Sequence, residues 1–490
     1  MSDQTVELSR AQWGSRFGFL MAMLGAMVGA GNIWRFPYVT GESGGGAFIL
    51  AYFVLLLVLA IPGLIAEVGF GRYAGQGVIG AFRKVATTRG MVGLGVVVLV
   101  VNVGLMSYYS PVVGWTLYYA VHSLLLTFTS GGFEPAAFWD GFRASAVLTI
   151  GTHTAVMALV ATVLYLGIRR GVERLVIYAV PGLVLALVAM TIRALTLEGA
   201  AAGLAFTFGV DWSKLALGQT WITALGQVLF STGLGWGIAL TVGSYLPDYD
   251  DIPIGGGVFT VIGNSSVGIL AAFAIFPIVF AFDLDPASGA SLTFVSLPQV
   301  FPQMTGGALW AILFFLGFFL AAFTSAILIT EVSVTTLTEE TPFSRKQTVI
   351  GVCAGIWLLG IPSAYWPGIF SFLDFVFGNF GLPLATLAII GAIGWSMGPG
   401  RSRRRGPEKL RVLEINRNAG FYVGPLWNPV VKYVIPLVML FIVGNYAWAN
   451  LGTPQMIGGV VVFVGVPLVG YALMSYLEGR RESLSTDEVR

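Results

Sequence analysis

From residue 14 onward the chain is built of apolar runs about as long as the ~20 residues a helix needs to cross a bilayer, separated by glycine, proline and short clusters of charge. Lipid offers no hydrogen-bond partner to a backbone, so a spanning chain must form helices or a closed barrel. The two-residue alternation of a membrane barrel is not sustained in any run. The chain is therefore read as an all-α integral membrane protein. Its composition agrees, with 56% hydrophobic and only 10% charged residues, where soluble domains carry about 25% charge.

The breaks between runs predict twelve spans, at 14–38, 44–72, 92–126, 148–168, 173–193, 219–246, 255–281, 306–337, 346–362, 369–397, 430–449 and 456–478. An even number puts both termini on one side of the membrane. If that side is the cytoplasm, every Lys and Arg except Arg35, Arg143, Arg193 and Lys214 falls inside or at its edge, including the "RSRRR" run at 401–405; this bias sets the orientation. Before the first run stand Asp3, Glu7, Arg10 and Arg16 with no small-residue cleavage site, so that span is read as retained. The lone Cys353 excludes a disulfide within the chain and reads as a small core residue.

Two runs contain residues that a simple crossing would not need. Span one carries "AMVGAGNIWRFP" (26–37) and span six "FSTGLGWG" (230–237), each interrupting an apolar helix with glycine near mid-membrane. They lie five spans apart, which predicts a 5+5 inverted repeat with helices 1 and 6 broken, the arrangement in which many secondary transporters hold substrate and ions. The organisation expected is a cytoplasmic N-terminal segment (1–13), a first five-helix repeat (14–193), an extracellular loop (194–218), a second repeat (219–397), a basic cytoplasmic loop (398–429), two peripheral helices (430–478) and a cytoplasmic tail (479–490). A single glycine in a membrane helix is more often a packing position, but paired clusters point to unwound backbone. Its freed carbonyls suit a hard cation, and the amide ends of half-helices suit a carboxylate.

Read in order, "RAQW", "GAGNIWRFP", "GESGGGAF", "PGLIAEVGFGRY", "YYSPVVGW", "GQVLFSTGLGWG", "AAFTSAILITE" and "LDFVFGNFG" cover all ten core spans. The sequence thereby resembles the neurotransmitter:sodium symporters, whose bacterial members include amino-acid transporters. The resemblance implies a first sodium site from the Met27 carbonyl and the side chains of Asn32, Ser231 and Asn264, completed by the substrate carboxylate. A second would use the carbonyls of Gly25, Val28 and Ala321 with the hydroxyls of Thr324 and Ser325. Taken alone, those adjacent hydroxyls would read as back-bonded to the preceding helical turn; beside a broken helix, oxygen ligation is the better reading.

For the substrate, the family pattern points to the amides around Ala30 and Gly31 and the Tyr109 hydroxyl for the carboxylate, with Leu105, Phe230, Ser231, Gly233, Trp236, Ser325 and Ile329 completing the site. Without that pattern, Phe230 and Trp236 would read as core packing. Monoamine-carrying members usually place an aspartate where this chain has Gly29, which argues for a substrate that brings its own carboxylate. Arg35 and Asp374, with Tyr109 and Phe230, resemble the outer gate; Arg10, Trp13, Tyr245 and Glu339 resemble the inner one. Glu67 and Glu331 read as hydrogen-bonded structural carboxylates rather than coupling groups, and His122 and His153 as interfacial residues. Tyr52, Gln227, Ser231 and Asn264 match ligands of a chloride ion, but Gly268 stands where other members carry a serine or an acidic residue.

The function expected is sodium-coupled symport of a neutral, hydrophobic or aromatic amino acid across the cell membrane. Two sodium ions, and chloride as a candidate, are the implied cofactors. Lipid and an amino acid are the partners expected, with no nucleic acid and no protein partner. A non-transporting amino-acid sensor of the same fold is the alternative, against which both gates and both ion sites count. An intramembrane enzyme lacks any serine–histidine pair, paired aspartates or zinc-ligand spacing at membrane depth.

Overall fold

The computed structural model describes residues 12–86, 89–398 and 404–465. Among these residues there is no strand, and nine helices are long and apolar enough to cross a membrane: Gly46–Ala74, Gly90–Leu124, Ala146–Tyr165, Ile168–Leu195, Ile252–Ala281, Gly307–Glu340, Arg345–Tyr365, Pro367–Ser396 and Trp427–Ala449. The first span is the pair Arg16–Met27 and Gly31–Glu42, bent by 51°. The sixth is the pair Gly218–Thr232 and Ile238–Ser244. Pro454–Val460 and Val461–Gly465 begin the twelfth, whose remainder lies outside the described residues.

Local sequence explains where the spans start and where they widen. Ser15 opens the first span by accepting the Gly18 N–H at 2.9 Å, and Ser344 and Gln347 cap the ninth reciprocally. Five wide, π-type turns, Gly31–Arg35, Leu56–Ala60, Leu292–Ser296, Asp374–Gly381 and Val430–Val434, are each followed two residues later by a proline: Pro37, Pro62, Pro298, Pro383 and Pro436. A proline inside a helix lacks the N–H that would bond four residues back and its ring crowds that carbonyl, so the helix relaxes into a wider turn.

The third and eighth spans pack along one another at the centre. The first half of span one lies against spans five, seven and eight, and both halves of span six lie against span two. The two breaks therefore meet in the middle of the bundle. The segments expected as loops are themselves structured. Ala200–Phe208 and Trp212–Leu215 occupy the stretch 194–218. In the stretch 398–429, Gly406–Leu410 and Arg411–Ile415 pack inward with Leu410 and Ile415 fully buried. Arg72, buried at the end of span two, donates to the Asp250 carbonyl at 2.7 Å and to that of Glu414, tying this segment to the loop after span six.

His122 fits its interfacial reading, half-buried with Nδ1 3.0 Å from Thr127 Oγ1. His153 does not. Its ring is fully buried between spans four and nine, Nε2 standing 3.1 Å from the Trp357 carbonyl. Gly360 makes the room, since a Cβ there would meet Nε2 at 2.6 Å. Cys353 is buried in the core, as read.

Candidate functional site

The two breaks are made differently. In span six, Gly233, Gly235 and Gly237 have φ of +65°, +85° and +76°, a region glycine enters without steric cost. In span one the chain unwinds at Val28, which is extended (φ −78°, ψ 92°), and the neighbouring glycines serve by lacking a side chain. A Cβ on Gly29 would lie 2.5 Å from Ser325 Oγ and 2.7 Å from Tyr109 OH; one on Gly31 would lie 3.1 Å from the Phe230 ring.

Between the breaks is a narrow cavity walled by Ala26, Met27, Gly29, Gly31, Tyr109, Phe230, Gly233, Trp236 and Ser325. Tyr109 OH accepts the Ala30 N–H at 3.3 Å, so hydroxyl and freed amide face one point. Trp236 meets Phe230 edge-on at 5.7 Å and Tyr109 at 6.4 Å between ring centroids. Leu105 and Ile329 are fully buried but do not form part of the wall.

The oxygens assigned to the second sodium site converge. Ser325 Oγ lies 3.1 Å from the Gly25 carbonyl, 3.5 Å from that of Val28 and 3.3 Å from that of Ala321, and Thr324 Oγ1 lies 2.9 Å from the Ala321 carbonyl. One serine proton serves one acceptor at a time, so three carbonyls around one hydroxyl are an excess of acceptors in an apolar surrounding. A hard cation with oxygen ligands fits that excess.

Three of the side chains expected at the first sodium site, those of Asn32, Asn264 and Ser231, form one chain of bonds. Asn32 Nδ2 donates to the Asn264 carbonyl at 2.7 Å and to its Oδ1 at 2.9 Å; Asn264 Nδ2 donates to Ser231 Oγ at 2.8 Å. Asn32 Oδ1 accepts the Gly29 N–H at 3.4 Å. Tyr52 OH joins the chain at Ser231 Oγ, 3.4 Å away. Gln227, the remaining candidate chloride ligand, instead donates to the Gly31 carbonyl at 2.7 Å and accepts from Arg35 Nη1 at 2.6 Å.

On the outer side, the Arg35 guanidinium stands 5.1 Å above the Phe230 ring. Among the described residues no ion pair within 4 Å joins it to Asp374; that carboxylate approaches Gly378, where a Cβ would lie 3.1 Å from Oδ1. On the inner side Trp13 Nε1 donates to the Val242 carbonyl at 3.1 Å, and its ring meets Tyr245 edge-on at 6.1 Å. Tyr245 OH donates to Glu331 Oε1 at 2.8 Å and also contacts Thr335 Oγ1. Glu331, 1% exposed, takes both arms of Arg345 at 2.9 and 2.8 Å. Glu339 accepts the Gly77 N–H at 2.6 Å. Arg10 lies outside the described residues.

Three side chains that the sequence reading did not assign to the site hold the second break open. Glu67 Oε1 accepts the Gly235 N–H at 2.7 Å. Asn102 Nδ2 donates to the Trp236 carbonyl at 3.1 Å while Oδ1 accepts from Ser333 at 2.9 Å. Thr386 Oγ1, 2.9 Å from the Leu382 carbonyl of its own helix, lies 3.4 Å from the Leu234 carbonyl. The signal that could have found Asn102 is a lone amide in "VVNVG", since polar side chains at membrane depth pair inward.

Two half-helix pairs meeting at mid-bundle, with carbonyl and hydroxyl oxygens on one side and an amide-edged cavity on the other, define a secondary transporter of the broken-helix class. The chain belongs to the Sodium:neurotransmitter symporter family, which it matches over residues 10–131 and 142–457; the family is one of sodium-coupled transporters, not enzymes. It is 33% identical over 459 residues to an uncharacterized sodium-dependent transporter of Haemophilus influenzae, covering 88% of this chain and 97% of that one. A second such transporter, from Bacillus subtilis, is 32% identical over 90% of this chain and 98% of its own. Among solved structures, MhsT in complex with L-phenylalanine superposes with a TM-score of 0.80 at 32% identity, over 89% of this chain and 100% of that one.

Proposed function

We propose that the protein couples sodium to the uptake of a neutral amino acid with a hydrophobic or aromatic side chain, by alternating access. The observation that carries this reading is at Gly29. Ser325 Oγ and Tyr109 OH stand only 2.5 and 2.7 Å from where its Cβ would be, occupying the space a side chain there would take, and no acidic residue is among the described residues that wall the cavity. An amine lacking its own carboxylate would find no fixed counter-charge there. A substrate carboxylate would find the Tyr109 hydroxyl, the amides around Ala30 and Gly31, and a sodium ion held by Met27, Asn32, Ser231 and Asn264. The rings of Phe230 and Trp236, with no side chain at Gly233 between them, suit an apolar side chain. The bound L-phenylalanine of MhsT supports the same class of substrate.

In this reading Gly25, Val28, Ala321, Thr324 and Ser325 hold a second sodium ion, chloride sits beside Tyr52, Ser231 and Asn264, and both termini are cytoplasmic in the cell membrane. Arg35, Asp374, Tyr109 and Phe230 close the outer path; Trp13, Tyr245 and their partners close the inner one. Uptake of labelled leucine, phenylalanine and tryptophan into proteoliposomes, with a sodium gradient and with potassium in its place, tests the proposal. Concentrative uptake should require sodium. Binding without uptake would overturn symport, and a preference for glycine or alanine would overturn the substrate class.

A further inference from the structure

A second polar cavity lies at the end of the bundle that carries Trp13, between the start of the first span and the junction of the fourth and fifth. It is walled in part by Arg169, Arg170, Glu173, Arg174 and Tyr178. Among the described residues, its one carboxylate is already committed. Glu173 is buried, with Oε2 accepting the Gly14 N–H at 2.8 Å and Oε1 the Ser15 hydroxyl at 3.0 Å. Arg169 uses Nε on the Gln12 carbonyl at 2.9 Å. Arg170 and Arg174 are exposed and have no hydrogen-bond or ion-pair partner among the described residues. Three guanidinium groups thus share a cavity with one fully engaged carboxylate.

The wall of the cavity also carries an exposed aromatic ring. Tyr178, one turn beyond Arg174 on the fifth span, is 74% exposed, and Phe17, on the first span, is 50% exposed. Tyrosine rings are enriched at headgroup depth, between hydrocarbon and water. Basic pockets between spans at that depth attract acidic lipid headgroups, and arginine's planar fork matches phosphate oxygens. We propose that this cavity is a binding site for an anionic phospholipid, its phosphate held by Arg170 and Arg174 and its acyl chains running along Tyr178 and Phe17. A lipid is favoured over a soluble anion because the basic wall continues into this apolar surface. The site is separate from the transport cavity and involves none of the residues placed there.

The test is native mass spectrometry of the full chain, with dioleoyl phosphatidylglycerol, dioleoyl phosphatidylcholine or inorganic phosphate added to the micelles. The wild type should retain one phosphatidylglycerol at a concentration about tenfold below that needed for phosphatidylcholine. Arg170→Ala with Arg174→Ala should lose this preference; Arg170→Lys with Arg174→Lys should keep most of it. Both side chains are exposed and hold no other group among the described residues, so the variants should fold, which gel filtration and unchanged sodium-dependent substrate binding would check. Equal retention of the two lipids by the wild type, or an unchanged preference in the alanine variant, would overturn the proposal. Displacement of phosphatidylglycerol by millimolar phosphate would make the site one for soluble anions and overturn the lipid assignment.

Discussion

Glu67 Oε1 accepts the Gly235 N–H at 2.7 Å, so a carboxylate of the second span satisfies a backbone amide in the break of the sixth. Gly235 cannot turn elsewhere for a partner, because its φ of +85° takes it out of the helix on either side. Glu67→Ala should therefore leave a buried N–H unsatisfied, at a cost of about 1–3 kcal/mol. Glu67→Gln keeps an oxygen acceptor in reach and should cost less. Melting temperature in detergent and substrate affinity are the readouts. If the alanine variant matched the wild type in both, Glu67 would not be supporting the break.

Both breaks were legible as clusters of glycine in apolar runs, but the reasons behind the two clusters were not. "GLGWG" supplies three positive-φ residues, whereas "GAG" supplies clearance for Tyr109, Ser325 and Phe230. Sequence cannot separate these, because one depends on torsion and the other on what packs opposite. Asn102 and Thr386 stayed hidden for the same reason: each lies many residues from the carbonyl it meets, and only the packing of spans three and ten against six brings them there. At the inner face Glu331 was legible as a hydrogen-bonded structural carboxylate. Its pairing with Arg345, one span on, and with Tyr245 came only from the fold.

The second sodium site makes the next prediction. Thr324→Ala with Ser325→Ala removes two hydroxyls from the oxygen cluster and leaves the Gly25, Val28 and Ala321 carbonyls in place. Sodium affinity should fall, and because linkage is reciprocal, substrate affinity at fixed sodium should fall with it, by about 5–150-fold if the coupling is of ordinary size. Scintillation binding across a sodium titration reads both. An unshifted sodium midpoint in a folded double variant would remove these residues from the site.

Pocket size can be read at Gly29 and Gly233. Gly29→Ala places a methyl against Ser325 Oγ and Tyr109 OH, and overpacking of this sort costs about 1–3 kcal/mol, which should weaken all substrates. Gly233 is different. A Cβ there would find Ile238 Cδ1 at 3.7 Å and Met27 Cγ at 3.9 Å, ordinary contacts. Gly233→Leu should therefore exclude tryptophan and phenylalanine before alanine, beyond a backbone cost at φ +65° common to every substrate. Equal losses for large and small amino acids would show that position 233 does not set the size limit.

For the outer gate, Arg35 already has partners in Gln227 Oε1 and the Phe230 ring. Asp374→Asn should then leave equilibrium substrate binding close to wild type while slowing transport, since the charge is needed when the outer path closes rather than when the substrate docks. Binding and initial uptake rate measured on one preparation separate the two. A parallel loss of both would count against a gating role.

The last prediction concerns the anion. Two sodium ions and a zwitterionic substrate would gather positive charge at mid-membrane, where low dielectric makes uncompensated charge costly. Asn32, Asn264, Ser231 and Tyr52 form one polar chain beside Gly268. A Cβ on Gly268 would meet the Phe36 ring at 3.5 Å and Asn32 Nδ2 at 3.7 Å, so a side chain can begin there without a clash. Its first atoms would stand beside an amide donor. If chloride supplies the missing negative charge, the wild type should slow when gluconate replaces chloride, and Gly268→Glu should become indifferent to that exchange because it carries a carboxylate of its own. The measurement is initial uptake rate, wild type and variant in parallel. A wild type that ignores the replacement would reject chloride and turn attention to Glu67, whose Oε2 has no hydrogen-bond partner among the described residues, as the carboxylate that balances the ions.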